Sequence, residues 1–177
     1  MATKPTIYKA KIALSDMDRN YYDTLNLTIA RHPSETEERM MVRLLAFCFN
    51  ACEGLVLCKG LSDADEADLW AHSLDGTLEL WIDVGEPAVD RIRKASRIAK
   101  AVRVYSFNSK SATWWAQHQK EFSALNVSVF RFDWEAIKQL SSHVARTMDI
   151  SVTIAGDSAY VATSSGEVEL GIENLQN

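Results

Sequence analysis

The chain is poor in the residues that staple, break or bend a polypeptide: 3 cysteines, 7 glycines and 3 prolines in 177 residues. Cys48, Cys52 and Cys58 are odd in number and clustered. That pattern excludes a disulfide framework and, with no secretory leader apparent, leads to the expectation of a reducing cytoplasm. Cys48 and Cys52, four apart on an apolar stripe, read as small buried hydrophobes; a zinc site needs tighter spacing and a fourth ligand. No Pro/Gly/Ser linker, repeat or low-complexity tract divides the sequence, so one domain over residues 1–177 is expected. No apolar run approaches the roughly 20 residues that span a bilayer. Walker A, G-x-G-x-x-G and G-x-S-x-G patterns are absent, which removes the common nucleotide-binding and acyl-transfer readings. His32, His72, His118 and His143 show no metal spacing.

What is present is an ordinary globular balance, 47% hydrophobic and 24% charged, long enough to bury a real core. The net charge of −5 is unevenly spread: Ala88–Lys120 carries +7 and the remaining residues −12. A basic island in an acidic protein either receives a phosphate backbone or forms the solvated side of helices.

Alternating patterns over Thr6–Ser15 and Tyr21–Ala30 predict an antiparallel hairpin around the polar turn Asp16–Asn20. Ser34 with Glu37 three residues on reads as a capping box opening a helix that runs to about Cys52. Strands follow at Leu55–Cys58, Asp68–His72 and Leu78–Val84, the last two joined through Asp75-Gly76. The period becomes helical from Pro87 to Ala101. A strand (Val102–Phe107), a helix (Ser111–Glu121), a strand (Val127–Phe132) and a short helix (Trp134–Ser141) come next, and a three-stranded meander fills Ile150–Ile172. This order predicts an α/β fold: a mixed sheet flanked by helices, with a C-terminal β-meander.

The chemistry concentrates at Asp83, a lone acid ending the apolar strand Leu78–Val84. A charge there is costly unless it pairs, binds a metal or reacts. Asp68 lies on the neighbouring strand, and two such acids suit a divalent cation that prefers oxygen ligands. Beyond Asp83 a tight turn opens the basic helix. Arg91 flanks its buried face in the first turns and is the candidate for stabilising charge, whereas Lys94 points outward; Lys94 and Arg97 are candidate phosphate contacts. On the first helix Glu37 and Glu38 compete as an accessory acid. Glu38, at the edge of the apolar stripe, is preferred. Of the adjacent Trp114 and Trp115, one is expected in the core and the other free to stack on a base.

The order helix, three strands, helix, strand is similar to the core of the PD-(D/E)XK nuclease superfamily. There, two acids on adjacent antiparallel strands hold a metal, and a lysine two residues after the second acid supports water or phosphate. Asp68 and Asp83 match the acids, but the lysine position is Gly85. The chain also resembles the YaeQ family through Ile7-Tyr8-Lys9-Ala10, Asp18-Arg19-Asn20, His32-Pro33-Ser34-Glu35-Thr36, Glu38-Arg39-Met40-Met41, Leu80-Trp81-Ile82-Asp83-Val84-Gly85, Pro87, Arg91, Lys94-Ala95 and Trp114-Trp115. That resemblance implies a variant restriction-endonuclease-like core with acids at Glu38, Asp68 and Asp83 and no lysine at Gly85; it implies no particular activity. Two functions are compatible. One is a Mg²⁺-dependent phosphodiesterase acting on nucleic acid, with Mn²⁺ as a substitute metal. It would use Asp68 and Asp83 as metal ligands, with Glu38 and Arg91 in support. The other is a catalytically inactive module of the same fold that binds a protein or nucleic acid.

Overall fold

Side chains of an extended chain point alternately to opposite faces, and Tyr8, Ala10, Ile12, Leu14 and Asp16 are accordingly buried along the first strand while their neighbours face outward. The computed structural model describes residues 4–59 and 63–177. In chain order its elements are β1 (Thr6–Asp16), β2 (Tyr21–Arg31), α1 (Glu37–Asn50), β3 (Leu55–Leu57), β4 (Leu69–His72), β5 (Leu78–Val84) and α2 (Val89–Ile98). There follow β6 (Ala101–Ser106), α3 (Ser111–Phe122), β7 (Ser128–Phe132), α4 (Trp134–Ser141), β8 (Thr147–Ala155), β9 (Ser158–Thr163) and β10 (Gly166–Gln176). The strands form one mixed sheet ordered β2-β1-β8-β9-β10-β7-β6-β5-β4-β3.

Helix α1 explains the curvature. All residues from Met40 to Cys48 are buried, Arg43 included, and a helix apolar on every side must be enclosed rather than laid on a surface. The sheet curls around it as a nearly closed barrel, with α4 completing the packing. A second core lies on the outer face of β5, β6 and β7, where α2 and α3 contribute Val89, Ile92, Ala95, Trp114, Trp115 and Phe122. Strands β5, β6 and β7 run parallel because helices on that outer face carry the chain back between them. The expected meander is present as β8, β9 and β10.

Several local expectations are corrected. The α1 N-cap is Thr36, whose hydroxyl accepts from the Arg39 amide at 3.1 Å, not Ser34, which lies too early to reach the first free amides. The helix ends at Asn50, leaving Cys52 exposed rather than packed. Trp114 and Trp115 are both buried, each 8% exposed. Helix α3 is walled on two sides, by the sheet and by α2, so adjacent positions both find cover. Neither indole is free for stacking on a base. Among the described residues no helix is long and apolar enough to cross a membrane.

Candidate functional site

The inward face of β5 carries Leu80, Ile82 and Val84, so Trp81 and Asp83 face α2. Leu69 pairs with Ile82 across the β4–β5 ladder, and extending that register by one residue sets Asp68 opposite Asp83. The backbone seats both acids. The Val84 amide donates to Asp68 Oδ2 at 2.7 Å, and the Asp68 amide approaches Asp83 Oδ1 at 3.4 Å. Both acids are buried. Like charges directly opposite on one face destabilise a sheet. Burial pushes the Asp83 carboxyl above the ordinary carboxylate range; the Arg91 hydrogen bond opposes this and the Asp68 charge adds to it.

Arginines resolve the conflict. From the first turn of α2, Arg91 donates through Nε to Asp83 Oδ2 at 2.6 Å and through Nη2 to Oδ1 at 3.2 Å. Its remaining donors hold the carbonyls of Ala64 and Glu66 at 2.5 and 2.7 Å, which ties the segment between β3 and β4 down beside the site. By sequence, Ser62 to Glu66 reads as an acidic loop between these strands; Ser62 lies outside the described residues. From the first turn of α1, Arg39 Nη2 donates to both oxygens of Asp68 at 2.9 Å and to the Val84 carbonyl at 3.3 Å. Its Nη1 reaches Glu35 Oε2 at 2.6 Å. Glu35 in turn accepts from Arg43 Nε at 3.0 Å and Nη2 at 2.6 Å. The result is a neutral network in which Asp68, Asp83 and Glu35 are matched by Arg39, Arg43 and Arg91. Sequence reasoning identified Asp68, Asp83 and Arg91 but missed Glu35, Arg39 and Arg43. Their signal was present, since spacing of four along a helix start places all three in one row.

The other expected participants lie elsewhere. Glu38 turns toward α4, where the Ser141 hydroxyl donates to it at 3.3 Å; α1 lies inside the barrel, whereas Asp83 is on the outer face. Glu86, which by sequence reads as a cap for the following helix, accepts instead from Ser106 at the end of β6 and from Asn108 just beyond it. At Gly85 the backbone has φ +103°, a region that L side chains rarely adopt. The same turn that directs Asp83 into the site therefore disfavours a lysine at this position. A cleft of about 430 Å³ opens here, bounded by Arg39, Asp68, Asp83, Gly85, Arg91 and Asn108.

Magnesium requires several oxygen ligands in near-octahedral array. The residues here do not fit it as arranged: both carboxylates receive guanidinium donors, and Glu38 is on the other side of the sheet. Among the described residues, no group of three or more His, Cys, Asp or Glu side chains is placed to hold a metal ion. The arrangement is suited to holding arginines rigidly at the rim of a cleft.

Lys94 and Arg97 are exposed on α2, and Lys110 and Lys120 are exposed at the two ends of α3. None of the four has a carboxylate partner among the described residues, whereas Arg93 pairs with Asp90 and Lys100 with Glu79.

Residues 1–172 match the family described as YaeQ protein. A Salmonella typhi relative, named Uncharacterized protein YaeQ, is 41% identical over 99% of this chain and 98% of its own length. The Escherichia coli K12 relative of the same name is 38% identical over the same shares. The crystal structure of YaeQ protein from Xanthomonas axonopodis pv. citri superposes with a TM-score of 0.93 at 37% identity, covering 97% of this chain and 98% of that one. The Pseudomonas syringae YaeQ crystal structure gives 0.93 at 36% identity, covering 98% and 97%. On this agreement of sequence and fold, the chain belongs to the YaeQ family.

Proposed function

We propose that this chain is a catalytically inactive module, with a restriction-endonuclease-like core, that binds nucleic acid through the α2–α3 face. The order α1, antiparallel β3-β4-β5, α2 and parallel β6 supports kinship with the PD-(D/E)XK scaffold. The observation that carries inactivity is the occupation of Asp83 by Arg91 and of Asp68 by Arg39. Lys94, Arg97, Lys110 and Lys120 supply charge that no carboxylate pairs among the described residues, the kind that neutralises phosphates and releases counterions. The free thiols fit a partner in the reducing cytoplasm.

A metal-dependent phosphodiesterase is the second reading, favoured by the opposition of two buried acids on one strand pair, with the Asp83 carboxyl raised. One experiment separates the two. Fluorescence anisotropy with single- and double-stranded DNA and RNA is expected to show salt-dependent binding. Lys94→Glu/Arg97→Glu weakens that binding, and the salt slope falls by about 0.7–0.9 for each phosphate no longer neutralised. Incubating the same substrates with Mg²⁺ or Mn²⁺ is expected to leave them intact. Cleavage by the wild type that disappears in Asp68→Asn/Asp83→Asn replaces this proposal with the enzyme. Binding to no nucleic acid transfers the module to a protein partner.

A further inference from the structure

At the other end of the barrel, where α1 terminates, a cleft of about 690 Å³ opens on the inner face of the sheet. Its size falls within the usual range for small-molecule sites. One wall is aromatic. Phe130 stacks on Tyr105 with ring centroids 5.1 Å apart and planes 18° apart, and Phe49, from the last turn of α1, packs at an angle to Tyr105 at 6.4 Å. Phe130 and Phe49 are only half-buried, so they present carbon surface to the opening.

Two donors reach this cleft with capacity unspent, and one buried amide holds both. The side-chain oxygen of Asn50, at the end of α1, accepts from Arg103. Its Nδ2 donates to the Tyr105 hydroxyl at 2.8 Å and to the Ala46 carbonyl at 2.7 Å. The Tyr105 hydroxyl therefore serves Asn50 as an acceptor, and its own proton has no acceptor among the described residues. Burial raises this phenol above its ordinary range, against the opposing influence of Asn50 and the nearby Arg103, so it stays a donor at neutral pH. Arg103 is half-buried, and among the described residues no carboxylate stands within ion-pair distance of it. The end of α1 does not supply what is missing. Arg19 already donates to the Ala51 carbonyl at 2.8 Å, to the Cys48 carbonyl at 3.2 Å and to Asp16. Tyr105 is 3% exposed, and a donor buried to that degree without an acceptor is costly.

We infer that this cleft binds an aromatic monocarboxylate, its ring against Phe130 and Phe49 and its carboxylate accepting from Arg103 and the Tyr105 hydroxyl. One carboxylate has acceptor sites enough for both donors, and bonds that carry its charge are the stronger kind. The ring adds apolar burial and an aromatic contact. Asp18 is engaged by the Gly156 amide at 3.0 Å; it and Asp157 are exposed, where water and salt screen them. Glu173 faces the other side of the sheet, toward Arg131. Arg103 therefore sets the charge that a bound group meets. A free acid and the last residue of a peptide chain present the same chemistry. The site is separate from the α2–α3 face and does not depend on its role.

Calorimetric titration of the full chain with phenylacetate, phenylacetamide, acetate and inorganic phosphate tests the assignment, alongside a short peptide ending in phenylalanine with a free or an amidated terminus. Phenylacetate, the free-acid peptide or both are expected to bind saturably, about tenfold or more tightly than the corresponding amide. Binding of phenylacetate identifies a small-molecule site, and binding of the peptide alone a chain-terminus site. Acetate and phosphate bind more weakly than the favoured acid, because neither places a ring on Phe130. Arg103→Gln, which keeps a donor for Asn50, removes the preference for acid over amide, and Tyr105→Phe lowers acid affinity severalfold. Thermal unfolding checks that the variants are folded, and the acid–amide comparison on the wild type decides the matter even where they are not. Absence of saturable binding by both acids, equal binding of acid and amide, phosphate binding above both acids, or a preference that persists in folded Arg103→Gln would overturn the inference.

Discussion

Replacing Arg91 with methionine removes the guanidinium from Asp83 while retaining much of the side-chain stem over Trp81. Asp83 is 2% exposed, so its carboxylate is left buried without its counter-ion, with Asp68 opposite. Removing one partner of a buried pair costs about 3–5 kcal/mol. The Arg91 side chain is 30% exposed, which places the expected loss near the lower limit, about 3 kcal/mol, or roughly 6–12 °C in Tm for a domain of this size. Asp83→Asn costs less, because the freed Arg91 can be hydrated. The pH dependence gives the stricter test. Burial makes the folded protein hold the Asp83 proton more tightly than the unfolded chain does. Stability therefore falls as pH rises from the unfolded carboxylate value, about 3.9, to the raised folded value, and the penalty is complete above it. Without Arg91 the folded value climbs further, and the window of falling stability widens upward. The deficit of Arg91→Met relative to wild type is then largest at the alkaline end and shrinks on acidification. Urea unfolding followed by tryptophan fluorescence across this range reads it directly. A difference within about 0.5 kcal/mol of wild type, or a deficit that grows in acid, refutes Arg91 as the counter-ion of Asp83.

Arg43→Met removes two of the three guanidinium bonds to buried Glu35, leaves it Arg39 alone, and frees the Ala30 carbonyl; because the Arg43 side chain is fully buried, the loss is expected at about 3 kcal/mol or more, and urea unfolding measures it. Thr36→Ala costs about 1 kcal/mol as a lost N-cap and Ser34→Ala stays within about 0.5 kcal/mol; the opposite ranking would return the cap to Ser34. Gly85→Ala costs about 1–3 kcal/mol from backbone strain alone, since its Cβ would meet no atom within 4 Å; thermal unfolding at wild-type temperature would contradict this. Burial pushes the Cys48 and Cys58 thiols up to about 12, so the exposed Cys52 is the one thiol expected to react rapidly with a disulfide reagent at about pH 8. A second equally fast thiol would contradict that expectation.

The β5 strand and the α4 helix were legible from the sequence to the residue, Leu78–Val84 and Trp134–Ser141. Each announces itself by a local period between turn or cap residues. Asp68 and Asp83 were legible as a pair because the Asp75-Gly76 turn fixes the hairpin that opposes them. The engagement of that pair was not legible. Asp68 meets Arg39 from 29 residues away, and an arginine beside an apolar stripe looks the same in sequence whether it faces solvent or reaches around a sheet edge. The burial of both Trp114 and Trp115 was hidden for a related reason: helix periodicity assigns one covered face, and only the docking of α2 beside the sheet provides a second.

The sequence by itself determined the alternation of strands, the starts of α3 and α4, the basic segment and the placement of two acids at a strand end, because these follow from side-chain period and chain connectivity over a few residues. The tertiary structure decided that ten strands close around α1, that β1 finds a parallel partner in β8 from the far end of the chain, and that three arginines neutralise three buried acids. Those outcomes depend on which distant surfaces bury each other, a choice made by the packing of the whole core and by the need to pair every charge taken out of water.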